Sequence, residues 1–141
     1  MKIAIVASRF NPEVVEGLIA GALDGLVQSK IAAEDVTLVR VPGAFEIPLA
    51  AQRAAVSGKF DAIVALGAVI RGETAHFEYI SQHATLGVGR VALDCRIPVA
   101  FGILTTDTDE QAIARSRPDE NNKGLEAARA AVEMVETLKR L

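Results

Sequence analysis

The sequence predicts one α/β domain, a three-layer α/β/α sandwich around a four-stranded parallel sheet. Three observations carry this. The candidate strands are apolar runs rather than alternating ones, as expected of strands buried on both faces. Each is followed by a segment of helical period, which implies right-handed βαβ crossovers. The chain has 141 residues, the size of one domain; half are hydrophobic and only 4% aromatic, so Ala, Val, Ile and Leu must build the core.

The elements follow in order. Lys2 to Ala7 is a continuous apolar strand. Asn11 is placed as an N-cap and Pro12 as a first helical residue; Val15, Leu18, Ile19, Ala22, Leu23 and Leu26 form the stripe of the first helix. Val36 to Val41 is a β-branched strand that Pro42-Gly43 ends. Phe45 to Val56 reads as a helix, with Pro48 confined to its first turn. Asp61 to Val69 is the third and most apolar strand. A helix is expected from about Ala75 to Ala84, with Gly87 and Gly89 loosening its continuation toward Asp94. Pro98 to Leu104 is the fourth strand. Thr108 and Gln111 form a capping box for a short helix to about Ser116. Arg117-Pro118-Asp119 is a turn, and Asn122 to Arg140 is a closing amphipathic helix.

Composition narrows the function classes. The net charge of −3 is spread evenly, and no basic patch suggests nucleic acid as a partner. The single cysteine, Cys95, rules out an internal disulfide and suits a reducing cytoplasm; it reads as a small core residue. The chain opens straight into a strand, so no signal peptide is expected, and no apolar run is long enough to span a bilayer. A cytoplasmic protein without a membrane partner is the expectation.

Ligands of open α/β sheets sit outside the carboxyl ends of the strands. Four polar or aromatic segments meet there: Ser8 to Asn11, Pro42 to Glu46, Ala68 to His76, and Thr105 to Asp107. The third is the most informative. Free N–H groups at a helix start bind anions such as phosphate. The same positive end disfavours imidazolium, so His76 in the first turn is expected neutral and able to move protons. The plain alternative, a histidine that only decorates a helix, weighs about the same on this segment alone. Phe10 is placed to stack on a planar heterocycle, although local packing is the commoner fate of a lone Phe. Glu46 divides equally between capping a helix and binding a hydroxyl. Arg71, Arg115 and Arg117 are candidate phosphate partners, with a solvated charge the commoner outcome.

Other patterns carry less. Gly87-Val88-Gly89-Arg90-Val91-Ala92 matches G-x-G-x-x-A, but a helix precedes it where the dinucleotide fingerprint needs a strand. His76 and His83 lie seven residues apart, roughly 10 Å along a helix, too far to share one metal. His83 reads as a surface or interface residue. No metal site is expected. Ser8 has no nucleophile elbow around it.

The motifs together say more than each alone. Ser8-Arg9-Phe10-Asn11, Val41-Pro42-Gly43-Ala44-Phe45-Glu46-Ile47-Pro48, the run Gly67-Ala68-Val69-Ile70-Arg71-Gly72-Glu73-Thr74-Ala75-His76-Phe77-Glu78, Phe101-Gly102-Ile103-Leu104-Thr105 and Asn122-Lys123-Gly124 resemble the lumazine synthase family. The resemblance covers essentially the whole chain. It implies a flavodoxin-like fold with strand order 2-1-3-4. It implies a transferase of riboflavin biosynthesis that condenses 5-amino-6-(D-ribitylamino)uracil with 3,4-dihydroxy-2-butanone 4-phosphate, giving 6,7-dimethyl-8-ribityllumazine, phosphate and water, with no metal or other cofactor.

By resemblance, His76 is the proton donor and acceptor and Phe10 stacks on the pyrimidine. Ala44, Phe45 and Glu46 line the ribityl chain; Ala68, Val69 and Ile70 meet the pyrimidine edge. Glu73 and Thr74 bind the phosphate, Arg115 clamps it and Lys123 adds charge. Phe101 and Arg115 come from a neighbouring subunit. A homo-oligomer is therefore implied, with a pentamer favoured. A decamer and a sixty-subunit shell are less favoured, because Lys2 already begins the first strand and the turn before Asn122 lacks the glycine of shell-forming members. Ala84, Gly87 and Val88 are expected to pack around the ring axis. Two other functions fit the fold: a flavin or lumazine carrier, which would not need His76 or Arg115, and the archaeal type of riboflavin synthase, which would not need the butanone phosphate site.

Overall fold

The computed structural model describes all residues, Met1–Leu141. Four parallel strands, β1 (Ile3–Ser8), β2 (Val36–Val41), β3 (Ala62–Ile70) and β4 (Val99–Thr106), form one sheet in the order β2-β1-β3-β4. Five helices cover it: α1 (Pro12–Gln28), α2 (Ile47–Val56), α3 (His76–Cys95), α4 (Asp109–Ala114) and α5 (Lys123–Leu138). This is the expected flavodoxin-like three-layer sandwich with the expected strand order.

Side chains alternate across a strand, so each central strand feeds two cores. Ile3, Ile5, Ala7, Val64 and Leu66 pack toward α1 and α5. Ala4, Val6, Ile63 and Ala65 pack toward α2 and α3. Both faces of β1 and β3 are buried, which is why these strands read as unbroken apolar runs. β2 is an edge strand, half exposed, and reads less clearly.

Several boundaries differ from expectation. α3 runs unbroken for 20 residues, through Gly87 and Gly89. A Cβ at Gly87 would lie 2.6 Å from Pro48 Cγ, so the glycine is what lets α3 lie against the start of α2. β4 extends to Thr106, because β3 and β4 stay in register to Ile70↔Thr106. The segment after Gly43 starts as a 3₁₀ turn, Ala44–Glu46, and becomes α-helical at Ile47, with Pro48 in the first turn. Asn11 holds the N-cap position of α1 in the left-handed region (φ 60°) but caps nothing with its side chain. Ala84 and Val88 are buried in the chain's own core, which removes them from the proposed ring axis. The exposed apolar residues of α3 are instead Tyr79, Leu86 and Leu93, one every seven residues.

Asn122 organises the opposite layer. It is buried and caps α5: its Oδ1 accepts from the N–H groups of Gly124 (2.8 Å) and Leu125 (3.1 Å). Its Nδ2 donates to the carbonyls of Gly17 (3.0 Å) and Arg117 (2.8 Å). A Cβ on Gly124 would collide with the Leu18 backbone. The Asn and Gly of the Asn-Lys-Gly motif thus join α5 to α1.

Candidate active site

The carboxyl ends of β1, β2 and β3 open into a cleft of about 650 Å³. Two backbone hydrogen bonds and one from the Asn11 side chain bind its walls together. The N–H of Arg9 donates to the Val41 carbonyl (2.8 Å) and that of Phe10 to the Pro42 carbonyl (3.1 Å), prolonging the β1–β2 pairing into the loops. The Asn11 amide donates to the Ala68 carbonyl (3.0 Å), tying the β1 loop to the end of β3. Phe10 is left 70% exposed at the cleft, a ring with a free face.

The second wall is Pro42 to Glu46. Glu46 makes no side-chain cap, so the capping alternative falls away and its carboxylate is uncommitted. Phe45 is held from outside: the His83 ring stacks on it at 4.0 Å between centroids, and His83 Nε2 lies 3.1 Å from the Phe45 carbonyl.

The third wall is the end of β3 and the loop into α3. Ala68, Val69, Ile70, Gly72, Thr74 and His76 all line the cleft. His76 is the first residue of α3. Its backbone N–H meets Thr74 Oγ1 at 3.4 Å, while its ring makes no hydrogen bond within the chain. Gly72, Glu73, Thr74 and Ala75, the loop that leads into α3, are exposed and their N–H groups are unpaired within the chain, so they are open to an anion beside the helix start. Arg71 is not free for that anion. Its guanidinium donates to Asp107 (2.8 Å) and Glu78 (2.7 Å) and covers the Phe77 ring. The Asp107 and Glu78 hydrogen bonds raise its pKa above the ordinary arginine value. The pair of bridges fastens the loop to the end of β4 and the first turn of α3.

A model of the family described as 6,7-dimethyl-8-ribityllumazine synthase matches residues 1–139. The chain belongs to this family. Its reaction is lumazine synthesis, within riboflavin formation, and its members are enzymes of the transferase type.

Of the residues expected at the site, Phe10, Ala44, Phe45, Glu46, Ala68, Val69, Ile70, Thr74 and His76 line this one cleft. Glu73 is exposed between two lining residues. Phe101 lies elsewhere, 47% exposed on β4, in a second cleft of about 590 Å³ with Leu93 and Met134. Arg115 and Lys123 line neither cleft, but they are neighbours: the Lys123 N–H donates to the Arg115 carbonyl at 2.9 Å. Arg115 Nη1 donates to the Gln111 carbonyl (3.0 Å), and Lys123 pairs with Glu126 (2.8 Å). Sequence reasoning missed Phe77 and Ile80 as lining residues. Ile80 follows His76 by four residues, so helical spacing alone would have placed it on the same face. Ser8 is buried within β1 and faces Gly67 rather than the cleft.

Proposed function

We propose that this protein condenses 5-amino-6-(D-ribitylamino)uracil with 3,4-dihydroxy-2-butanone 4-phosphate to 6,7-dimethyl-8-ribityllumazine, phosphate and water. One functional domain spans residues 1–141, acts in the cytoplasm and uses no metal or redox cofactor. The observation that carries the reading is His76, an unengaged imidazole at the first position of a helix, sharing one cleft with an exposed aromatic ring and lying beside unpaired backbone donors.

The roles follow from the walls. Phe10 stacks on the pyrimidine, and backbone groups at Ala68, Val69 and Ile70 meet its edge. Ala44, Phe45 and Glu46 hold the ribityl chain, with the Glu46 carboxylate accepting from a hydroxyl. The phosphate takes the N–H groups of Glu73 and Thr74 and the Thr74 hydroxyl. The uracil amine attacks the ketone, and loss of water gives an imine. A proton leaves carbon, phosphate is eliminated, and the ring closes with loss of a second water. Every step moves a proton, and one imidazole near both substrates serves several of them. Holding the substrates together supplies much of the remaining acceleration.

Phe101, Arg115 and Lys123 stand apart from the cleft, and their roles as substrate contacts require a neighbouring subunit. A head-to-tail ring repeats one such contact around an axis. The exposed seam of Tyr79, Leu86 and Leu93 on α3 and the apolar groove beside Phe101 are surfaces suited to that contact. A homopentamer is favoured, and the glycine-free turn Arg117–Asn121 argues against a larger shell. The test is incubation of purified protein with both substrates while lumazine absorbance and fluorescence are followed. Lumazine appearing with phosphate supports the reading. Tight binding of lumazine without its formation would mark a carrier, and riboflavin formed from lumazine alone would mark a riboflavin synthase.

A further inference from the structure

His83 has no part in the roles above, yet from α3 its side chain both stacks on and hydrogen-bonds the cleft's second wall. Its ring stacks on Phe45 with an interplanar angle of 22°, and Nε2 meets the Phe45 carbonyl. A carbonyl only accepts, so Nε2 carries the hydrogen and donates. One turn further on, Gly87 seats α3 against Pro48. His83 and Gly87 are four residues apart and share a helix face, so this face of α3 holds both ends of the segment Phe45–Pro48. His76 lies two turns earlier on the same helix, roughly 10 Å along the axis. α3 therefore carries the imidazole at one side of the cleft and fixes the wall at another.

We propose that His83 is a positioning residue that sets the placement of Ala44–Glu46, and through it the recognition of the substrate's polyhydroxylated side chain. The inference rests on the proposed reading of that wall as the ribityl contact. The stack and the hydrogen bond are both local to Phe45, so losing them frees the wall without touching Phe10 or the loop before His76. Glu46 then loses the fixed geometry that lets a carboxylate recognise a hydroxyl.

The experiment compares two ligands by calorimetry, 6,7-dimethyl-8-ribityllumazine and 6,7-dimethyllumazine, which lacks the ribityl chain. Wild type is expected to prefer the first. His83→Ala is expected to bind the first roughly three- to tenfold more weakly, less than the full worth of one aromatic contact and one hydrogen bond because both are made within the protein, and the second as wild type does. His83→Phe keeps the ring and His83→Gln keeps a donor; each is expected to recover part of the loss, and both keep the question answerable if the alanine variant folds poorly. A ribityl preference undiminished in all three variants, or equal losses for both ligands, overturns the proposal alone. A wild type that binds the two ligands equally overturns the ribityl reading of the wall and this inference with it.

Discussion

At the scale of the residue, the two histidines have opposite situations on one helix. His83 is engaged by Phe45, whereas the ring of His76 is free in the cleft. An imidazole without an internal partner is available to a substrate. His76→Ala is expected to lower turnover by about 10²–10⁴-fold, the usual share of general acid–base catalysis, while binding of the lumazine product stays near wild type. Steady-state rates at saturating substrate, with product binding measured alongside, check this; an unchanged rate removes the role. His76 was legible in the sequence because strand, glycine turn and helix pattern are all local signals. The grip of His83 on Phe45 was not, since its partner stands 38 residues away and no period links them. Arg71 was misjudged for the same reason: the carboxylates that occupy it, Asp107 and Glu78, come from other elements.

At the scale of the element, apolar runs made the strands plain, and their two-sided burial is what the runs encode. α3 was cut short because propensity penalises Gly87 and Gly89, while packing against Pro48 requires a glycine at Gly87. Its outward face was misread too. Ala84 and Val88 suggested a close helix contact but serve the core, and the seven-residue spacing of Tyr79, Leu86 and Leu93 was the signal present in the sequence. The Asn-Lys-Gly motif divides into two tasks. Asn122 and Gly124 are structural, and Lys123 alone remains for charge. Asn122→Ala removes a cap and the side-chain hydrogen bond to the half-buried carbonyl of Gly17. A loss of about 2–3 kcal/mol in stability is expected. Thermal melting reads it, and a midpoint equal to that of wild type would show that the α1–α5 joint does not depend on this side chain.

At the scale of the whole molecule, the residues expected at the site are divided over the surface of the chain. Nine expected residues line one cleft, while Phe101, Arg115 and Lys123 stand apart from it. Topology explains why the first group was legible: a parallel sheet brings the loops after β1, β2 and β3 to one edge. Quaternary contacts leave no such rule in one chain's sequence, and here the family resemblance supplied the expectation. For the proposed homopentamer, sedimentation is expected to give a particle of about five times the 14.9 kDa chain mass. A species near a megadalton would contradict the isolated pentamer, and an active monomer would contradict the shared site. The most direct test of the account measures lumazine formation by two inactive variants, His76→Ala and Arg115→Ala, dissociated and reassembled together. If each site takes His76 from one subunit and Arg115 from the next, random mixing restores roughly a quarter of the wild-type rate, since about one interface in four then carries both side chains. A mixture no more active than its separate components, while wild type treated alike recovers full activity, would contradict the claim that this cleft makes lumazine at a site shared between subunits.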